Sequence, residues 1–176
     1  LRIENFDILF LTEKKIKEDF EKNPLPLLPM LKEAKPIINN NLIEKYAKYP
    51  LNKKSLKWHI DTTKSAINLA KKDLKISKEI NMNAEDAVSY SLVLRLRTLY
   101  IINCLRKNKI WKSVEFLNLI KNITGSVEAY NGYLRVKNKK DKKYKSKLKI
   151  IEAERLICYI DEKLAGIEKW VKGKKD

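Results

Sequence analysis

From residue 12 onward, apolar positions recur along this chain at intervals of three and four, the spacing of helices that bury one face. Thr12 stands where a side-chain oxygen can cap a first helix through Lys22, with Ile16 and Phe20 turned inward. Pro24, Pro26 and Pro29 then suppress helix at and before themselves, which predicts a turn with short helical pieces over 23–30. A brief extended stretch is expected at Pro36-Ile37-Ile38, followed by a short helix that Asn39 or Asn40 caps and that ends near Tyr49-Pro50.

The longest periodic runs lie beyond Pro50. Leu56, Ile60, Thr63, Ile67, Ala70 and Leu74 make one stripe on a long helix starting at Ser55. Asn83 is expected to cap the next helix, with Glu85 and Asp86 in its first turn, where the helix dipole favours anions. Its stripe reads Ala87, Tyr90, Leu94, Thr98, Ile101 and Leu105, and Leu92, Leu96 and Leu99 widen it into the central helix of the fold. A third helix runs from Ser113 (Phe116, Leu117, Ile120) to Gly125, and a fourth from Ser126 to Val136. A fifth spans 147–171, with its stripe at Ile150, Ile151, Ala153, Leu156, Ile157, Ile160, Leu164, Ile167 and Val171. Short connections make such helices antiparallel neighbours. The expected fold is therefore mainly α: a four- to five-helix up-and-down bundle over 51–176, preceded by one strand and short helices within 1–50.

That strand is the only segment with a period of two. Over 1–11 it places Ile3, Asn5, Asp7, Leu9 and Leu11 on one face and Phe6, Ile8 and Phe10 on the other. A carboxylate in such a strand is costly to bury without a partner or a cation. Asp7 is thus a candidate metal ligand, and a structural salt-bridge partner is the plainer alternative. One carboxylate does not hold catalytic magnesium, and Asp19/Glu21 and Glu152/Glu154 cannot assist, because residues two apart on a helix diverge.

Charge alters the picture more than composition does. The net charge of +17 is nearly absent from residues 1–50, where nine Lys/Arg meet eight Asp/Glu; residues 51–110 and 111–176 carry +8 each. A basic helical body points to phosphates or polyanions, although thirty-three of the thirty-nine cations are Lys, as a heat-adapted surface or an AT-rich genome would also produce. Residues 137–149 (KNKKDKKYKSKLK) concentrate +7 and are expected to form a mobile loop between two helices. Lys137, Lys139, Lys140, Lys142, Lys143 and Lys145 could track phosphates there and Tyr144 could stack on a base, without reading sequence. Arg95 and Arg97 interrupt an apolar run; they are candidate nucleic-acid contacts or members of a buried ion pair with Asp86 or Glu128.

Other chemistries find little. His59 is the single histidine and reads as a packed helix residue; without a second His or paired Cys a zinc site is not expected. Trp58, Trp111 and Trp170 read as core anchors, and Cys104 and Cys158 as core thiols in a reducing cytoplasm. No window of about eighteen apolar residues is free of charge, so no membrane span is expected.

The ordering of NFDILFLT, a helix, and NPLPLLPMLKEAKPII resembles the closing segment of the minimal nucleotidyltransferases of the DNA polymerase β superfamily. The segments DAVSYSLVLRLRTLYIINCL, EAYNGYLRVKNKK and EAERLICYIDEKL resemble the basic bundles that accompany such enzymes in archaea, of the HEPN or kanamycin-nucleotidyltransferase C-terminal type. The resemblance implies that Asp7 is the third metal carboxylate, for magnesium, and the catalytic general-base candidate, and that Gly-Ser and Asp-x-Asp precede the strand in the intact enzyme. The bundle would then bind substrate, nucleotide or nucleic acid, or a partner, including a second copy in a homodimer. The HEPN ribonuclease pattern of Arg followed by His is not met, since Arg97 is followed by Asn103. The alternative is a stand-alone basic helical protein that binds nucleic acid without catalysis.

Overall fold

The computed structural model describes residues 9–51, 53–138 and 146–173. All regular structure among them is helical. The order is α1 (Glu13–Lys22), α2 (Leu28–Glu33), α3 (Asn40–Ala47), α4 (Leu56–Glu79), α5 (Asp86–Arg106), α6 (Ser113–Thr124), α7 (Glu128–Lys137) and α8 (Ile150–Val171).

Several elements follow local rules. Thr12 Oγ1 accepts the Lys15 N–H at 3.2 Å and opens α1, whose buried residues are Ile16 and Phe20. In α4 every position of the expected stripe, from Leu56 to Leu74, is buried. Gly125 ends α6 with φ +84°, a left-handed cap that glycine adopts without a Cβ clash.

Other expectations are corrected. No described residue lies in a strand: Leu9, Phe10 and Leu11 are irregular, with Phe10 90% exposed, because the described residues offer no neighbouring strand to pair with them. Residues 1–8 of the expected strand, Asp7 among them, lie outside the described residues. Ile37 and Ile38 bend rather than extend and are almost wholly exposed. Asn39 does precede α3, but through a left-handed backbone (φ 55°) and not through its side chain. Helix α5 starts three residues after Asn83, whose amide instead donates to the Ser146 carbonyl at 3.1 Å.

The buried face of α5 is also rotated from the expected one. Val88, Leu92, Val93, Leu96, Leu99 and Ile102 are buried, whereas Ala87 is exposed and Tyr90, Leu94, Thr98 and Ile101 are half-buried. The reason is that α5 is apolar on almost every side. It packs against α4, α7 and α8, so no single stripe defines its inner face.

Two clusters of buried side chains hold the chain together. The larger joins α4–α8 around Leu56, Leu92, Leu96, Ile102, Ile120, Leu156 and Ile160, and Leu25 from the proline-rich turn enters it. The smaller collects Ile16, Phe20, Leu27, Leu28 and Tyr46 from α1, α2 and the α3 region. There, Glu13 accepts from Lys45 Nζ at 2.6 Å and Tyr46 Oη at 2.7 Å, and these bonds hold its carboxyl down at about 2. Helices α4 and α8 run antiparallel and are laced along their exposed edge by Lys64–Glu168, Lys71–Asp161 and Lys78–Glu154. No helix among the described residues is long and apolar enough to cross a membrane.

Candidate functional site

The candidate residues named from sequence fall into three groups. Asp7, and with it the expected magnesium site, lies outside the described residues, as do Lys139, Lys140, Lys142, Lys143, Tyr144 and Lys145. Lys137 is the last residue of α7, exposed, with Nζ 6.0 Å from the centre of the Tyr133 ring. The far end of the expected loop is anchored: Leu148 is fully buried and its carbonyl accepts the Ala84 N–H at 2.9 Å.

Arg95 and Arg97 are half-buried on α5, but the carboxylates expected to pair with them serve another arginine. Arg135 on α7 forms a fork with Asp86 (2.7 and 2.8 Å) and reaches Glu128 at 2.7 Å. These hydrogen bonds hold the guanidinium proton more tightly than usual. The register of α7 explains the exchange, since Glu128 and Arg135 are two turns apart on one face and meet Asp86 at the start of α5. Arg95 instead donates to Thr62 Oγ1 at 3.3 Å, and Arg97 lies over the Trp111 ring at 5.1 Å. The Nε atoms of both, with Trp111 Nε1, are buried without a hydrogen-bond partner.

His59 belongs to the same interior. It is buried, its Nε2 lies 3.0 Å from Asn23 Oδ1, and its Nδ1 has no partner. With Asn23 as acceptor, Nε2 carries the proton in the neutral ring. Burial first, and the nearby Arg95 second, push the imidazole down to about 4. Two further residues were misplaced from sequence: Cys158 is exposed on α8, and Trp58 is 60% exposed on the first turns of α4. The position of Trp58 was legible in principle. It sits two residues from both Leu56 and Ile60 of the buried stripe, about 200° around the helix from each.

Two surface features emerge that no sequence motif announced. At one end of the bundle, where α4 begins and α5 and α8 end, the half-buried Trp170 ring is flanked by two cations. Lys53 Nζ lies 5.1 Å from the ring centre and the Arg106 guanidinium 4.6 Å. Residues 53–62, 102–109 and 164–173, which build this end, hold eight Lys/Arg (Lys53, Lys54, Lys57, Arg106, Lys107, Lys109, Lys169, Lys172) against Asp61 and Glu168. Glu168 is already engaged by Lys64.

The second feature is a groove of about 950 Å³ over α8, walled by α4 and α6, with Leu74, Ile123, Ile151 and Ile157 on its surface. A smaller hollow of about 310 Å³ between α5, α6 and α8 shares Leu119, Tyr159 and Glu162 with it. Among the described residues, no group of three His, Cys, Asp or Glu side chains is placed to hold a metal ion. Comparison of the chain with protein-family models, with curated proteins and with solved structures gives no match.

Proposed function

We propose that this chain is a basic helical module that binds single-stranded nucleic acid at the end of the bundle around Trp170. The observation that carries the reading is the Trp170 ring with both Lys53 and Arg106 lying over it, in a region with eight cations and two carboxylates. The ring fixes the direction of two long cationic side chains, which lowers the entropy cost of placing them on phosphates. The exposed Trp58 indole lies at the same end of α4 and offers a face on which a base can stack. Contacts of this type read no sequence, so binding is non-specific and weakens steeply with salt.

The test is fluorescence anisotropy with a labelled single-stranded oligonucleotide across a salt series. Joint reversal of Lys53 and Arg106 to Glu is expected to flatten the plot of log affinity against log salt by at least about 1.4, or about 0.7 for each lost phosphate contact. Trp58→Ala is expected to raise Kd by about five- to one-hundred-fold. Replacing Lys139, Lys140, Lys142 and Lys143 by Ser in the same series examines the Lys-rich segment. Should only that replacement change the slope, or should binding ignore salt altogether, the assignment to the Trp170 end fails.

A further inference from the structure

The groove over α8 is a different surface from the Trp170 end, and its chemistry selects a different occupant. Together with the smaller hollow it follows α8 from Ile151 to Ile167, sixteen helical steps or about 24 Å. Its floor is apolar and open: Ile151 is 52% exposed and Cys158 is exposed beside it. At the other end Gly166 leaves space, since a Cβ built there would touch nothing within 4 Å. The surroundings are cationic. Apart from Arg106 and Lys107, which belong to the Trp170 end, five Lys/Arg (Lys71, Lys75, Lys78, Arg155 and Lys163) line the two hollows, with Glu154 and Glu162.

Two of those five are particularly available. Lys71 and Lys78 are held by Asp161 and Glu154, and Lys163 by Glu162. Lys75, between the first two on α4, makes no ion pair among the described residues, and the one hydrogen bond of Arg155 is a 3.5 Å contact to the Thr124 carbonyl. An apolar trough with cations along its edges suits a ligand with an apolar stripe and acidic flanks. A nucleic-acid strand would satisfy the rim but leave Ile151, Ile123 and Leu119 against polar backbone. A second copy of this chain would bring another +17 of like charge.

We propose that this groove receives an amphipathic acidic helix of about sixteen residues from a partner protein, its apolar positions i, i+3, i+4 and i+7 laid along α8. Its carboxylates meet Lys75 and Arg155, and its small apolar side chains fill the space over Gly166. The charge contacts it uses, Lys75 and Arg155, lie on α4 and α8 away from Trp170, and only the smaller hollow, which Arg106 and Lys107 line, borders the nucleic-acid end; removing Lys75 or Ile151 therefore tests this groove and not that end.

The exposed thiol reports on the site, because the other cysteine, Cys104, is buried. The rate of Cys158 modification by a disulfide reagent is followed in the full chain while a synthetic sixteen-residue peptide is added. The peptide carries Leu at the stripe positions and Glu on the flanks; its counterparts replace every Glu by Lys, or scramble the stripe. The acidic amphipathic peptide is expected to slow modification at least tenfold and the two counterparts to leave it unchanged. Ile151→Glu and Lys75→Glu, both at surface positions where the fold is checked by thermal melting, are each expected to raise the peptide Kd at least tenfold. Protection by both charge versions, by neither, or by a single-stranded oligonucleotide as effectively as by the acidic peptide overturns the proposal. So does protection that survives Ile151→Glu.

Discussion

Where α5 meets α7 a single methyl group is too large for the space available; along the outer side of α8 a methyl group would touch nothing. A Cβ at Gly132 would stand 2.7 Å from both Cβ and Oγ of Ser89 and 3.0 Å from Asp86 Oδ1, while one at Gly166 would have no atom within 4 Å. The same contrast holds for the polar groups. On the α7 side Arg135 satisfies two carboxylates, and at the closest approach of the helices Ser89 Oγ is left without a partner. On the side of α5 that faces α4, Arg95 has only a hydroxyl partner and His59 a bare nitrogen. One half of the molecule is closed on itself, and the other keeps apolar surface and polar atoms that its own residues do not use. Closed packing of the first kind serves stability. Open apolar surface rimmed by charge is what binding sites have in common.

The largest effect should come from the closed side. Arg135→Met leaves Asp86 and Glu128, both largely buried, facing each other without a cation. Removing one member of such a set costs about 3 kcal/mol, because the remaining charges stay desolvated and unpaired. Urea unfolding should show the midpoint falling by that amount, and Arg135→Lys should recover only part of it, since an ammonium cannot form the fork. A variant as stable as the parent would mean that the α5–α7 contact does not depend on the triad.

Next comes Gly132→Ala, at the point of closest approach. The added methyl improves helix propensity by about 1 kcal/mol but must displace the Ser89 Cβ, which is not the end of a flexible chain. Overpacking of this kind costs about 1–3 kcal/mol, so a net loss of up to about 2 kcal/mol is expected. Ser89→Gly in the same molecule should restore most of it, whereas Ser89→Ala should not, because it keeps the carbon that clashes. Non-additivity in this double-mutant cycle is the measurement that matters.

The open side answers to pH. In the unfolded chain His59 takes up a proton near 6.5; in the folded one it resists until about 4. Between those values the unfolded state holds more protons, so stability falls as the pH is lowered from 6.5 to 4 and is fully retained above 6.5. Partial access of solvent to the ring limits the loss to about 1–2 kcal/mol. Because the chain has one histidine, its imidazole C–H resonance reports the folded titration directly, with a midpoint expected near 4. His59→Gln should remove the slope of stability between pH 6.5 and 5, a window above that in which Glu13 titrates.

Legibility followed the range of the forces involved. Thr12, Gly125 and the Leu56–Leu74 stripe act through neighbours within one or two turns, and each is found where the pattern places it. Helix α5 was harder to read. With apolar residues on almost every side, its inner face is decided by the three helices around it, and these come from both earlier and later in the chain. For the same reason Asp86 and Glu128 were matched to the wrong arginines: the sequence shows that a cation must meet them, while only the register of α7 shows that it is Arg135. The groove over α8 left no trace in any local pattern, because its walls are residues 71–78, 119–123 and 151–162, joined solely by packing. Asp7, the residue that drew the transferase comparison, lies outside the described residues and gains no support from the bundle.

The smallest change has the opposite sign to the others. Gly166→Ala adds a methyl group in the interior of α8, where the backbone is helical and the space above is empty. A helical glycine costs about 0.5–1 kcal/mol relative to alanine through backbone entropy, and nothing here offsets the gain on substitution. The variant should therefore be more stable than the parent by about that amount, seen as a higher urea midpoint with an unchanged slope. Against Gly132→Ala this makes a pair with one chemistry, two helices and opposite outcomes. The pair separates the two halves of the molecule without reference to any ligand. If Gly166→Ala instead destabilised the chain, the hollow beside it would have to be filled in solution by this chain's own residues, and the groove would no longer be open to a partner along its full length.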